Sequence, residues 1–580
     1  MATRSDEIHP GVISAQEKLA DGRMSRREFL RMATLLGVSA SSAYILAACA
    51  PAATPTAAPV ATSAPAATSA PAATAVPAAG AIKRGGTLRV AMGIQAVTNP
   101  VLFSWVEAPN SFRHVFEYLT ETDNKNITHP LMLEKWSASD DLKTWTLNLR
   151  KGIFWYKNGT KGDEFVADHV KWNFGNWLDT KTSAVIGLWA GYLTSKDVEV
   201  VDPYTVKLHL AQPKIDVPEI LFHYPAMVLH PSFDGDVSTG KNFSTGPMVL
   251  VEYKVKEHAK LARRDGYWQN GADGQPLPYL DGIEFIDLGN DQSAAVNALK
   301  SGQIDNLYQL TSDNYLSLKD DKTVTIDGVG TAQVRVLRVR VDQKPWDNND
   351  LRTALKMTQD RQKILDTAYF GQGLLGGDFH VSPVHPEYAP LDTPKYDPDG
   401  AKALLQKAGL TSLDVEIAVG TGWSDVVAYA ESLKETAKAA GINITLNSMP
   451  NAKYWEIWDK ATVAITPWSH RPLATMVLPL GYGSDDKGQP LAGWNESKWI
   501  DKEFSDLVVK AVGTLDVEAR RAIMKQIETI MLQRGPVGIA YWLKMWEVYN
   551  PAFQGISAHP SSYNLWREVW YDPSKEKLKK

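Results

Sequence analysis

The stretch DVEIAVGTGWSDVVAYAESLKETAKAAGINITLNSM, from Asp414 to Met449, decides the fold class. Asp414 to Gly420 reads as a strand. Ser424 is expected to cap a helix whose apolar face is Val426, Ala430, Leu433, Ala437 and Ala440, at spacings of four, three, four and three. Gly441 ends that helix, and INITLNSM returns as a strand. Strand, helix, strand is a βαβ unit. It implies a parallel sheet, because parallel strands need a crossover between them. Such sheets bind ligands beyond the carboxyl ends of their strands. The loop Gly420-Thr421-Gly422-Trp423-Ser424 is therefore a candidate site, with Trp423 and Ser424 its candidate ligand-binding residues.

The texture on both sides supports a mixed α/β body. GGTLRVAMG opens with a strand over Thr87–Ala91, leaving a Gly-Gly turn. In KTWTLNLRKGIFWYKNG, Trp145, Leu147 and Leu149 alternate with polar residues. Phe154 and Trp155 are expected to continue that strand into a hairpin closed by Asn158-Gly159. Ala167, Val170, Phe174 and Trp177 have helical spacing. After a strand in GIEFIDLG, Asp291 can cap a helix that Gly302 ends. Asp397-Pro398 starts another helix, stopped at Gly409. Near the end, LDVEARRAIMKQIETIMLQRG is an amphipathic helix and IAYWLKMWEVYN is strand material. No internal repeat is found.

The amino terminus speaks to location. In SRREFLRMATLLGVSASSAYILAAC, Arg26 and Arg27 precede an uncharged run from Leu35 to Ala48. A charged region followed by a short apolar one is a signal peptide, and paired arginines give its twin-arginine form. The run is too short for a spanning helix, which needs about 20 apolar residues. Leu46-Ala47-Ala48-Cys49 resembles a bacterial lipobox, and Cys49 is the only cysteine of the 580-residue chain. It is read as the lipidation site. The Ala/Pro/Thr/Ser run that follows carries no charge and little to bury. It cannot offset the entropy of ordering and is read as an extended tether.

Composition narrows the function classes. Hydrophobic content is 44% and charge content 22%, as in ordinary globular proteins. A formal net charge of −5 argues against a nucleic-acid partner. The body has no thiol nucleophile, nucleophile elbow or zinc-binding helix, so it is read as a non-enzyme without a cofactor. His380, His385 and His470 are metal candidates only in an alternative reading, since five-residue spacing in a Pro-containing loop is no metal signature. Nineteen tryptophans are many, and a few are expected to line a ligand cleft.

Five segments in order resemble the extracellular solute-binding proteins, family 5, which serve ABC importers of dipeptides, oligopeptides and nickel. They are GGTLRVA, LEKWSASDDLKTWTLNLRKGIFWYKNGTKGDEFVADHVKWNF, STGPMVLVEYKVKEHAKLARRDGYW, YLDGIEFIDLGNDQSAAVNALKSGQID and WDNNDLRTALKMTQDRQKIL. The third carries Ser244 where the family usually has glycine. The resemblance implies a two-lobed, type II periplasmic-binding-protein-like fold, with three structural domains and a hinge closing on a ligand. A membrane permease would recognise the closed form. Peptide-binding members carry an aspartate shortly after a tryptophan, which pairs with the peptide ammonium. Here the corresponding segment, ITPWSHRPLATMVLPL, has Trp468 followed by Ser469, His470, Arg471 and Pro472, with no carboxylate. Arg471 suits an anionic group instead, unless an acidic residue elsewhere in the lobe pairs with it.

The expected organisation is an export signal over 1–49, a tether over 50–81, a first lobe over 82–334 rejoined by 541–580, and a second lobe over 335–540. Ligand-binding candidates are Asn99, Trp105, Trp423, Ser424, Trp468, His470 and Arg471. The expected ligand is peptide-like or another small organic molecule, with an anionic group on Arg471 and an apolar or ring portion on Trp468 and Trp423. The partners are an ABC permease and, through the lipid on Cys49, a membrane on the periplasmic side; the protein is expected to be a monomer. Capture of a metal chelate, and an exported enzyme on the same scaffold, are the alternatives.

Overall fold

The computed structural model describes residues 82–103, 106–157, 159–179, 186–289, 291–491 and 493–578. Arg26, Arg27, Cys49, the tether, Trp105 and Asn158 lie outside the described residues. No helix among the described residues is long and apolar enough to cross a membrane.

A central sheet runs through the whole body. Its first half places Thr87–Ala91 parallel to Gly282–Ile286 on one side and Asn306–Leu307 on the other. An antiparallel pair, Met248–Lys254 and His258–Arg263, extends it beyond Gly282–Ile286. The second half holds the expected βαβ unit. Leu413–Gly420 pairs in parallel with Ile442–Met449 along its length, and the helix Ser424–Ala437 crosses between them. Val463–Trp468 lies on the other side of Leu413–Gly420. Val426, Ala430, Leu433, Ala437 and Ala440 are all fully buried, as their spacing requires. Gly441, at φ +79°, turns the chain where a side chain would be strained.

Two long strands join the halves. Thr325–Val339 and Val537–Tyr549 lie antiparallel. Tyr549 also faces Asn306 in the first half, whereas Val339 at the far end pairs with Val463 in the second. Their register shifts between Gly330 and Val334, and again between Val334 and Val336. The ladder is thus interrupted midway between the halves, where a bend is least opposed by hydrogen bonds.

A smaller antiparallel sheet, Leu133–Ala138, Thr144–Leu149, Thr205–His209 and Val198–Asp202, stands beside the first half. The helix Ala167–Trp177 packs on it through Ala167, Val170, Phe174 and Trp177. One expectation fails here. Phe154 and Trp155 do not continue the strand Thr144–Leu149. Gly152, at φ +79°, turns the chain first, and Phe154–Lys157 then pairs with Thr160–Glu164. Most tryptophans are core, including Trp136, Trp145, Trp155, Trp177 and Trp189 in this domain. Each contributes through a large area withdrawn from water. The carboxyl-terminal segment returns to the first half, where Phe553, Ile556, Tyr563, Trp566 and Val569 share a core with Leu88, Val90 and Phe285.

Candidate functional site

A cavity of about 650 Å³ opens between the two halves and is lined from both. From the second half come the loops after two strands, Gly422–Asp425 and Pro467–Pro472. These are carboxyl ends of parallel strands, where sheet geometry leaves a crevice. From the first half come Gln309–Ser312, after the strand Asn306–Leu307, and Ser561–Tyr563. Glu219, Phe222, His223 and Tyr224, from the short helix Val217–Ile220 and the turn after it, complete that wall.

The loop Gly420–Ser424 is shaped by close approach. A Cβ at Gly420 would overlap the ring of Trp423, and one at Gly422 would lie 2.5 Å from Asn451 Nδ2. Asn451 Oδ1 accepts the Gly422 N–H at 2.9 Å. The two glycines thus let Trp423 fold back over the strand end. Ser424 departs from expectation. It is the first helical residue rather than a side-chain cap, and its hydroxyl donates to Asp313 Oδ2, on the opposite wall, at 3.1 Å.

Trp468 is buried, and its indole N–H donates to Glu496 Oε1 at 3.1 Å. Glu496 also accepts from Arg338 Nε at 3.0 Å and Thr466 Oγ1 at 2.6 Å, so the ring is held firmly. Next to it stands a chain of tryptophans in edge-to-face contact. Ring centroids are 5.5 Å apart for Trp468–Trp494, 6.3 Å for Trp458–Trp494, 6.2 Å for Trp455–Trp458 and 5.6 Å for Trp423–Trp455. Trp423, Trp455, Trp468 and Trp494 line the cavity. Trp455 is 44% exposed and Trp494 50%, a large apolar area left open to water. Sequence reading missed these two. The repeat of tryptophan at Trp455 and Trp458, directly after a strand, was the available signal.

Arg471 lines the cavity and forms no ion pair with any carboxylate among the described residues. Its Nη1 donates only to the His470 carbonyl, at 3.0 Å. His470 is committed elsewhere. Its Nδ1 accepts from the Ala332 N–H at 2.9 Å, and Nε2–H donates to Asn126 Oδ1, across the interlobe boundary, at 3.0 Å. Burial holds its pKa well below the usual histidine value. It therefore stays neutral and fixes the loop. His385 does likewise, taking the Ser382 N–H on Nδ1 and donating from Nε2 to the Arg471 carbonyl. Asn99 is not brought to the cavity; its Oδ1 caps the turn Pro100–Leu102 through the Val101 N–H.

Two carboxylates line the cavity and were not singled out from sequence. Asp425 is matched by Arg335, with Nε–Oδ2 at 2.6 Å and Nη2–Oδ1 at 3.2 Å. Glu219 forms no ion pair among the described residues. It accepts from Thr128 Oγ1 at 2.9 Å on Oε1, while Oε2 is buried without a hydrogen bond. Burial pushes its pKa up to about 7, against smaller lowering by its own backbone N–H and by Thr128; Asp216 adds a little and Arg520 subtracts a little.

Among the described residues, one group of three possible metal ligands occurs, Asp163, His169 and His230, away from this cavity. Its hydrogen bonds oppose metal binding. The Trp155 indole N–H donates to His169 Nδ1 at 3.0 Å, and the Ser232 N–H to His230 Nδ1 at 3.1 Å. With Nδ1 accepting in each ring, the proton sits on Nε2, the atom facing Asp163. A ligating histidine needs the reverse, with a free Nε2 and a donating Nδ1–H.

Residues 128–486, more than half of the chain, match the family model described as bacterial extracellular solute-binding proteins, family 5 middle. The dipeptide-binding protein DppE of Bacillus subtilis is 22% identical over 488 residues, covering 78% of this chain and 85% of that one. Among solved structures, DppA from Helicobacter pylori in complex with the peptide STSA superposes with a TM-score of 0.69 at 19% identity. It covers 84% of this chain and 99% of that one. NikA from Brucella suis in complex with Fe(III)-EDTA gives 0.70 at 20% identity, over 84% and 100%. These likenesses establish the two-lobed type II binding-protein fold.

Proposed function

The chain belongs to the bacterial extracellular solute-binding proteins, family 5, and from that premise we propose that it is the solute receptor of an ABC importer. It captures a small organic ligand between its lobes and delivers it, chemically unchanged, to a membrane permease. The observation that carries this reading is the cavity itself, walled from both lobes and joined by two long strands whose ladder is interrupted midway. Ligand contacts made only when the lobes are together shift the population toward the closed form.

The ligand carries an anionic group. Arg335 and Asp425 cancel, so among the described residues that line the cavity the free cation is Arg471, whose planar fork suits a carboxylate. The tryptophan wall takes an apolar or ring portion. The dipeptide-binding relatives agree with a peptide-like molecule. Export by Arg26-Arg27, anchoring through a lipid on Cys49, and action as a monomer complete the proposal. Changing Cys49 to Ala is expected to move the protein from the membrane to the soluble fraction; an unchanged distribution would remove the lipid anchor.

Native mass spectrometry of the protein purified without refolding tests the main reading, with release and identification of any bound molecule. An unmodified small organic anion is expected. Arg471→Ala is expected to weaken its binding about 10- to 100-fold, the range of a charge-assisted hydrogen-bond pair. Undiminished affinity would sink the anionic assignment.

A further inference from the structure

Behind the first-lobe wall of the cleft lies a second, small cavity of about 20 Å³. It sits between the stretch 113–121 and the segment 564–567, where the carboxyl-terminal part of the chain returns to the first lobe. Five donor atoms of its lining residues are buried and find no acceptor among the described residues. They are Arg113 Nη1 and Nη2, His114 Nδ1, Asn564 Nδ2 and Arg567 Nε. His114 Nδ1 counts as a donor because its Nε2 accepts the Trp566 N–H at 3.1 Å. Burial, helped by Arg113 and Arg567, lowers the pKa of that ring to about 3, so its single proton sits on Nδ1.

We propose that this cavity is a halide site, holding one chloride ion that ties the carboxyl-terminal segment to the first lobe.

The charge balance calls for an anion. Arg113 is 6% exposed and forms no ion pair among the described residues; its Nε reaches only Asn110 Oδ1, at 3.4 Å. Its Cζ stands 3.8 Å from the ring centroid of Tyr563, 4.6 Å from that of Tyr118 and 5.0 Å from that of Phe222. Aromatic faces offset part of the cost of burying a cation. They leave the edge of the guanidinium, where its N–H groups point, unsatisfied. The carboxylates that line the cavity are already engaged. Glu121 takes both Nη atoms of Arg567, Nη2 at 2.5 Å. Glu117 takes the Tyr267 hydroxyl at 2.6 Å and the Trp268 indole N–H at 3.1 Å.

What remains is a set of donors around a guanidinium without a counter-ion, which is costly to bury. Water answers this poorly. It has two lone pairs for five donors, and its own protons need acceptors. A halide accepts from every side and donates nothing. Size selects within the anions. Roughly 10–15 Å³ suffices for one water, so the cavity admits a single atom of that order and excludes phosphate, sulfate or a carboxylate. The bound ion neutralises Arg113 and bridges Arg113 and His114 to Asn564 and Arg567.

The test has a crystallographic and a solution arm. Crystals of the protein grown in sodium bromide are expected to show an anomalous bromine peak in contact with Arg113, His114 and Asn564. In solution, the thermal midpoint is followed against chloride, with sodium gluconate holding the ionic strength constant. The wild type is expected to gain about 2 °C for each tenfold rise in chloride beyond the dissociation constant. Arg113→Met and Asn564→Leu are each expected to flatten that dependence. The readout is the slope, so a general loss of stability in either variant does not mimic it. The bromide arm uses the wild type and does not depend on how the variants fold. A cavity without a bromine peak overturns the proposal. So does a chloride slope that is equal in the wild type and both variants. A peak seen only at molar bromide, with a flat chloride dependence in the wild type, marks an adventitious ion only and overturns it too.

Discussion

Glu219 shows how much a single side chain depends on where the chain puts it. As one of 66 acidic residues it carries no mark in the sequence. Folded, its pKa rises from 4.5 to about 7, because burial penalises the charge. The sign of the consequence follows. Between these values the folded protein holds a proton that the unfolded chain has lost, so stability falls as pH rises through the window. Above pH 7 the penalty is fully present, on the order of 3 kcal/mol for the ligand-free protein; below pH 4.5 it is absent. Glu219→Gln keeps the shape and removes the charge. Urea unfolding is expected to find the variant more stable than the wild type at pH 8 and equal to it at pH 4.5. A variant no more stable at pH 8 would mean that Glu219 is solvated there. Arg471 teaches the same lesson in reverse. Its identity was visible, but whether a carboxylate elsewhere would neutralise it was open until the lobes were assembled.

At the scale of elements, local rules and tertiary contacts divide the work. Helix boundaries followed side-chain chemistry. Asp291 accepts from the Ser293 N–H and Asp397 from the Gly400 N–H, as short polar caps do. Ser424 broke the pattern because Asp313 lies within reach and offers its hydroxyl a charged acceptor. Gly246, in the segment Ser244-Thr245-Gly246-Pro247, is held by another constraint. A Cβ there would stand 2.6 Å from the Val115 carbonyl oxygen. Backbone on both sides leaves nothing to rotate away, and Arg264 pins the segment through the Ser244 and Thr245 carbonyls. Gly246→Ala is therefore expected to destabilise by about 2 kcal/mol or more, read as a lowered midpoint in urea. A loss under about 0.5 kcal/mol would show that these two segments can separate.

At the scale of the whole molecule, side-chain hydrogen bonds across the cavity help hold the two halves together. Ser424 reaches Asp313, and His470 reaches Asn126. Leu473 and Met476, from the second half, pack into the core of the small sheet domain. The interrupted ladder of the two long strands is the natural place for the halves to swing. Removing the polar bridges shifts the equilibrium toward the open form. The double variant Asp313→Ala with Asn126→Gly tests this; glycine is chosen because Asn126 sits at φ +60°. Small-angle scattering of the ligand-free variant is expected to give a larger radius of gyration than the wild type. An identical radius would place the restraint in the apolar contacts instead.

The sequence by itself determined the βαβ unit from Asp414 to Met449, the helix caps Asp291 and Asp397, the alternation in Thr144–Leu149, and the family through the order of five segments. These are properties of neighbours along the chain, and periodicity and capping report them directly. It also placed Trp423, Trp468 and Arg471 on the loops that border the cavity. Only the tertiary structure decided which charges stay unmatched. Asp425 meets Arg335 across 90 residues, His470 meets Asn126 across 344, and Glu219 forms no ion pair among the described residues. It also decided that Trp455 and Trp494 stand in the open while Trp136 and Trp145 are core. The reason is that burial and charge compensation are set by partners distant in sequence, brought together only when the two halves of the sheet are joined.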